Sequence, residues 1–192
     1  MNRAFLVLKE KLIQEINPVL PLVNYQTISK TENGIEALRI AQRLEPNLII
    51  CSWDIQGISA LDLVQNLIQA NLCPVILVLE QKDQNSLQYA VKTGVHQIIT
   101  APIRAVDIIA GVVQAEHRYH TELMHRDEIR KLNDEVTTRK ILYQAILKLI
   151  PLGLEEEAAY ALIRKQAMTT RKSIRSVAVS IVKGLWLPTE EK

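Results

Sequence analysis

Residues 139–182 read RKILYQAILKLIPLGLEEEAAYALIRKQAMTTRKSIRSVAVSIV, and their punctuation decides how the last third of the chain folds. Helical spacing runs through nearly all of the stretch and is broken twice, by Pro151 with Gly153 and by the polar run Thr169–Lys172. Proline removes a helix donor and glycine accepts the backbone reversal that ends a helix, so three short helices are predicted. In the last of them Ile174, Val177, Ala178, Ile181 and Val182 recur at i, i+3, i+4, i+7 and i+8, a stripe that must find a partner surface. In the middle one Glu155, Glu156 and Glu157 fall in the first turn, where the helix dipole favours negative charge. From Ala158 to Thr189 there is no acidic residue, while Arg164, Lys165, Arg171, Lys172, Arg175 and Lys183 are all basic. A small helical unit with acid at one end and only base over the rest is a candidate polyanion binder.

The remainder of the chain sets the context. Its 192 residues suit one or two domains, and 48% hydrophobic content is ample for a core. Residues 1–115 hold 9 Lys+Arg and 10 Asp+Glu, whereas residues 116–192 hold 14 and 11, so the basic character belongs to the C-terminal part. No apolar run approaches the roughly 18 residues that suggest a membrane span, and the N-terminus lacks a signal-peptide pattern. A cytoplasmic protein without a membrane partner is expected, with Cys51 and Cys73 as reduced, buried thiols.

Strand-like segments punctuate the first half: the apolar runs Ala4–Leu8, Leu48–Ser52 and Val75–Leu79, the alternating Tyr25–Ser29, and Gln97–Thr100. Helical spacing separates them, at Leu12–Ile16, Ile35–Leu44, Ala60–Ala70 and Ser86–Val91. Five apolar strands alternating with helices describe an α/β fold, an open parallel sheet covered on both faces. Between the halves, Ile108, Ile109, Val112, Val113, Tyr119, Leu123, Ile129, Leu132 and Val136 form a broken, roughly heptad-like stripe in a polar helix. Such a helix either pairs with its copy in a homodimer or lies back on its own domain.

The run GLEEEAAY, then LIRKQAM, a short basic linker and a final V-A-x-x-I-V resembles an ANTAR domain, an RNA-binding antitermination module usually attached to a response-regulator receiver. The resemblance covers about the last third of the chain. It departs after Ala145, where Ile146 and Leu147 replace the family's Lys-Gly, and at Leu154, where the family carries a Ser or Thr helix cap. Residues 3–115 resemble a receiver domain through AFLVL, NGIEAL, PNLIICSWDIQG, PVILVLEQ and GVHQIITAPI. The resemblance implies a flavodoxin-like, five-stranded receiver fold, then a long linker helix and a three-helix ANTAR-like bundle. The domains expected are a pseudo-receiver at 1–115, a helical coiled-coil linker at 116–136 and an ANTAR-like RNA-binding domain at 137–192.

Receivers hold Mg²⁺ on an acid pair after the first strand and phosphorylate an Asp at the end of the third. A hydroxyl after the fourth strand and a Lys after the fifth grip the phosphate. Here the acid pair corresponds to Lys9 and Glu10, the phosphoacceptor to Ser52, the hydroxyl to Leu79 and the Lys to Ala101; only Pro102 of the Lys-Pro pair survives. Asp54, two residues past Ser52, is the one substitute acceptor if the register slips. Metal and phosphorylation are therefore not expected here.

His117, His120 and His125 cluster on the linker helix, but no third well-spaced ligand completes a metal site, and surface histidines are expected. No Gly-rich phosphate loop, CxxC, HExxH or GxSxG occurs, so neither an enzyme nor a cofactor is predicted. The function implied is transcription antitermination through leader-RNA hairpins, with a regulatory protein partner or small ligand as input. Arg139 and Lys140 would contact the backbone, and Arg164, Lys165, Arg171, Lys172 and Arg175 would form the main patch. Tyr160 is expected in the core, and Trp186 as an apolar latch on the bundle. The alternative is a protein-interaction or dimerisation regulator that has lost RNA binding.

Overall fold

A computed structural model describes residues 1–80 and 84–186. Gln81 of the fourth receiver-like run, and the last residues of the acid-free span beyond Trp186, lie outside the described residues. The chain divides into two compact units, Met1–Leu123 and Met124–Lys192.

The first unit is a parallel sheet of β1 (Asn2–Val7), β2 (Tyr25–Thr31), β3 (Leu48–Ser52), β4 (Val75–Leu79) and β5 (Gln97–Thr100), in the order β2-β1-β3-β4-β5. The strands are linked by α1 (Glu10–Ile16), α2 (Gly34–Leu44), α3 (Ala60–Ala70) and α4 (Gln84–Lys92). The sequence bounds of β3, α3, β4 and β5 hold to the residue, and β1 and β2 are longer than the apolar runs alone indicated.

The central strands β1, β3 and β4 are apolar without alternation over their buried residues because both faces are covered, whereas the edge strand β2 is mostly polar and only part-buried. Ala4, Leu6, Leu48, Ile50, Ile76 and Val78 enter one core with Leu12 and Ile16 of α1, and Phe5, Val7, Ile49, Cys51, Val75 and Leu77 enter the other with Ala37 and Leu63 of α2 and α3. Helix starts are fixed locally. Asn33 accepts from the Ile35 and Glu36 amides ahead of α2, and Ser59 accepts from the Asp62 amide ahead of α3. Cys51 and Cys73 are free and buried, and burial pushes both thiols up to about 12.

Helix α5 runs from Ala105 to Leu149, 45 residues. This corrects the expectation of three short helices after residue 139: the first is the end of α5. The linker stripe divides in two. Ile108 and Val112 are buried against the sheet of the first unit, whereas Ile129, Leu132 and Val136 of the second unit are more than half exposed. Tyr119 donates to the Asn71 carbonyl at 3.0 Å and Tyr25 to Glu116 at 2.6 Å, which ties this part of α5 to the N-terminal edge of the sheet. His117, His120 and His125 lie on the surface.

The second unit packs the end of α5 against α6 (Glu156–Thr170) and α7 (Ile174–Val182). Its core is small: Ala145, Ile146 and Leu149 meet Ala159, Ile163 and Ala167, with Val177, Ala178 and Ile181 of α7. Helix α5 gives way to a 3-10 turn at Ile150–Leu152, and Gly153 reverses the chain at φ +87°. Trp186 packs on this core, as the sequence indicated.

Candidate nucleic-acid interface

Alanine at Ala159 and Ala167, each one turn from Ile163, lets α6 approach its neighbours closely on that face. The face opposite is set by the same 3.6-residue repeat. It carries Tyr160, Arg164 and Met168 in one row and Ala161, Lys165 and Thr169 in the next, all exposed and lining one shallow recess. Tyr160 is 41% exposed and Met168 72% exposed. The expectation that Tyr160 belongs to the core is thus corrected: one residue after the buried Ala159, it is rotated about 100° out of the core. The Thr169 hydroxyl donates to the Lys165 carbonyl at 3.0 Å, so the helix itself satisfies it.

Helix α6 ends at Arg171, which takes the left-handed conformation at φ 54° while the Lys172 amide donates to the Ala167 carbonyl at 3.0 Å. Glycine is the usual occupant of that position because a Cβ is disfavoured there. Ser173 then caps α7 by accepting from the Ser176 amide at 3.1 Å. Arg171 and Lys172 are both exposed in this turn.

Arg175 is placed differently from the other cations. Its Nη1 lies 3.2 Å from Asp134 on α5, and its side chain is 43% exposed. It braces α7 on α5, a surface pair worth about 0–1 kcal/mol. Lys148 donates to the Val182 carbonyl at 2.7 Å and ties the far end of α7. Arg139 and Lys140 are exposed on α5. The helix start at Glu155 has no side-chain cap, in keeping with the sequence departure beside it. Sequence reasoning singled out the cations of α6, expected Tyr160 in the core, and did not single out Ala161 or Met168, which line the same recess. The outward face follows from the burial of Ala159, Ile163 and Ala167, which the sequence alone does not give.

At the mouth of the sheet in the first unit, Ser52 ends β3, is fully buried, and donates from Oγ to the Asp54 carbonyl at 3.1 Å. Asp54 lies past the end of the strand, so the same-face rule for i and i+2 does not carry it into the Ser52 position. Its carboxylate accepts from the Lys9 ammonium. That hydrogen bond, with the nearby charges of Asp54, Glu80 and Glu32, holds the Lys9 ammonium above its ordinary range. Leu79 is buried at the end of β4, and Ala101–Pro102 is a cis peptide. A divalent cation does not fit this donor set: an ammonium already occupies the Asp54 carboxylate, and the residue ending β3 is a hydroxyl turned onto backbone.

Comparison with known proteins follows this division. The response regulator receiver domain family matches residues 9–113, and the ANTAR domain family matches residues 130–182. Transcriptional regulatory protein PdtaR of Mycobacterium tuberculosis is 21% identical over 191 residues, spanning 98% of this chain and 93% of that protein. The signal receiver domain of a modulated diguanylate cyclase from Desulfovibrio desulfuricans G20 superimposes with a TM-score of 0.57 at 19% identity, over 64% of this chain and 98% of that one. The response regulator domain of Thermotoga maritima CheB does so at 0.54 and 16% identity, over 61% and 97%. These likenesses carry the fold of the first unit, and with the two family matches they establish that the chain belongs to the response regulator receiver family and carries an ANTAR domain behind its receiver.

Proposed function

We propose that the protein is an RNA-binding transcription antitermination regulator acting on leader-RNA hairpins. The observation that carries this reading is the exposure of Arg164, Lys165, Arg171 and Lys172 in a span, Ala158–Thr189, whose sequence holds no acidic residue. Arg139 and Lys140 extend it along α5, and Arg175 contributes through its brace on Asp134. The M. tuberculosis relative, named a transcriptional regulatory protein, supports the same direction.

Phosphate contacts release counterions, so affinity depends on salt with a log–log slope of about −0.7 to −0.9 per phosphate neutralised. A patch engaging roughly three to five phosphates loses at least about tenfold in affinity between ~50 and ~200 mM salt. The test titrates the protein against hairpins recovered by cross-linking from cells. Arg171→Glu with Lys172→Glu should abolish binding and leave the helical signal intact, because both side chains are exposed and outside the apolar stripe of α7. Equal binding by wild type and double variant, or no binding by either at low salt, would sink the RNA reading in favour of a protein-interaction regulator.

The receiver in this reading is a pseudo-receiver, controlled by a partner protein or small ligand rather than by phosphorylation, because Lys9 holds Asp54 and Ser52 ends β3. Ile129, Leu132 and Val136 recur at heptad spacing with more than half of each exposed, which favours pairing with a second copy into a homodimer. Ile129→Lys should weaken that dimer by burying an unpaired charge. Sedimentation of the wild type as a monomer at tens of micromolar, roughly where a useful coiled coil persists, would argue for an unpaired helix.

A further inference from the structure

We propose that the recess on the outer face of α6 seats one unstacked base of a single-stranded RNA loop, stacked on the Tyr160 ring; this rests on the RNA reading above. A solvated cationic face needs no large apolar side chain, yet this one carries two, Tyr160 and Met168, 41% and 72% exposed. They stand two turns apart with Arg164 between them in the same row, and Ala161 leaves a gap beside Tyr160 because it has no side chain beyond Cβ. Lys165 and Thr169 complete the lining. The recess therefore combines an aromatic plane, a polarizable thioether, a small floor and two cations.

That set suits one kind of occupant. A nucleobase has a π-face for Tyr160 and attached phosphates for Arg164 and Lys165, and aromatic stacking is how single-stranded bases are held in a sequence-tolerant way. A paired stem cannot use the recess, because its bases are stacked on each other. An acidic protein helix would satisfy the two cations but would leave the aromatic plane and the floor without a matching shape. Glu156 and Glu157 in the first turn of α6 bound the recess at its N-terminal side, so the strand would run toward the Arg171–Lys172 turn, where the cations continue.

The experiment uses the full chain and a hairpin carrying 2-aminopurine at each loop position in turn, beside the same stem as a closed duplex. The wild type should change the fluorescence of one loop position. Tyr160→Phe should keep both the signal and the affinity, since it keeps the ring. Tyr160→Leu should lose the signal and roughly 5- to 150-fold in hairpin affinity. Its salt slope and its affinity for the duplex should be unchanged, because neither depends on an unstacked base. Ala161→Leu lies at an exposed position compatible with a helix, so it serves if Tyr160→Leu fails to fold. By filling the floor it should lose the same signal. Full hairpin affinity and an undiminished signal in Tyr160→Leu, or in Ala161→Leu where only that variant folds, would overturn the stacking seat while leaving RNA binding in place. Failure of the wild type to bind any hairpin would instead remove the RNA reading and the seat with it.

Discussion

The mouth of the sheet and the outer face of α6 part company in what they keep. In the first unit, the central strands are buried on both faces, at Ala4–Val7, Leu48–Ser52 and Val75–Leu79. At its mouth the Lys9 ammonium holds the Asp54 carboxylate, Ser52 and Leu79 are buried strand ends and Ala101 follows β5. In the second unit the scaffold is thin, with alanines in all three helices of the core, and α6 starts at an uncapped Glu155. Its outward face exposes Arg164 and Lys165 beside Tyr160 and Met168. The lesson is that folding and chemistry are secured by different atoms. Burial stabilises at about 25 cal/mol per Å² whatever stands at the strand ends, so a site can be rewritten without disturbing its sheet. A surface patch, by contrast, adds little to stability.

The sharpest way to break this contrast is phosphotransfer, where the expected difference is all or nothing. Incubation with acetyl phosphate and Mg²⁺ should leave the intact mass unchanged, because the Asp54 carboxylate is held by Lys9 and Ser52 is buried. An adduct mapped to Ser52 or Asp54 would mean the mouth still works.

A second difference is thermodynamic. Both cysteines of the chain lie in the first unit, and burial pushes each thiol up to about 12. A thiol raised in the folded state keeps its proton there while the unfolded chain loses one above its ordinary range near 9. The folded state then binds more protons, so stability falls as pH rises from about 9 toward 12, by up to about 1.4 kcal/mol per pH unit per thiol. Urea unfolding at pH 8 and pH 10 should show this loss in the first unit and not in the second. A loss of equal size in both units would show that the thiols are not its source.

The smallest effect lies in the α6–α7 turn. Arg171 holds a left-handed backbone that costs an L-residue roughly 1–2 kcal/mol, so Arg171→Gly should stabilise the second unit by about 1 kcal/mol, net of the entropy glycine loses. It should at the same time weaken hairpin binding severalfold. Opposite signs for stability and binding are what a residue retained for its side chain would give. Loss of stability in Arg171→Gly would mean the turn depends on contacts of the arginine side chain.

Much of this architecture was legible before any coordinates. The alternating runs of Val, Ile and Leu specify strands buried on both faces, because a single-faced strand would alternate with polar residues. Pro151, Gly153 and the Thr169–Lys172 run specify breaks, because their effect on the backbone is local. That Ser52 and Leu79 stand at the ends of their strands was read from position alone.

Other features were decided only by the tertiary structure. Continuity of α5 through Leu149 could not be read, because a polar helix with a weak apolar stripe looks the same whether it stops or runs on. The pairing of Arg175 with Asp134, 41 residues apart, and of Lys9 with Asp54, 45 residues apart, depends on how helices and loops are brought together. Tyr160 was misplaced for a related reason: an aromatic residue beside alanines suits a core or a surface equally well. Local sequence sets backbone breaks and the period of burial. Which face of α6 turns inward, and which cation keeps its charge free, is settled by packing against residues far away in the chain, and their positions exist only once the fold has closed.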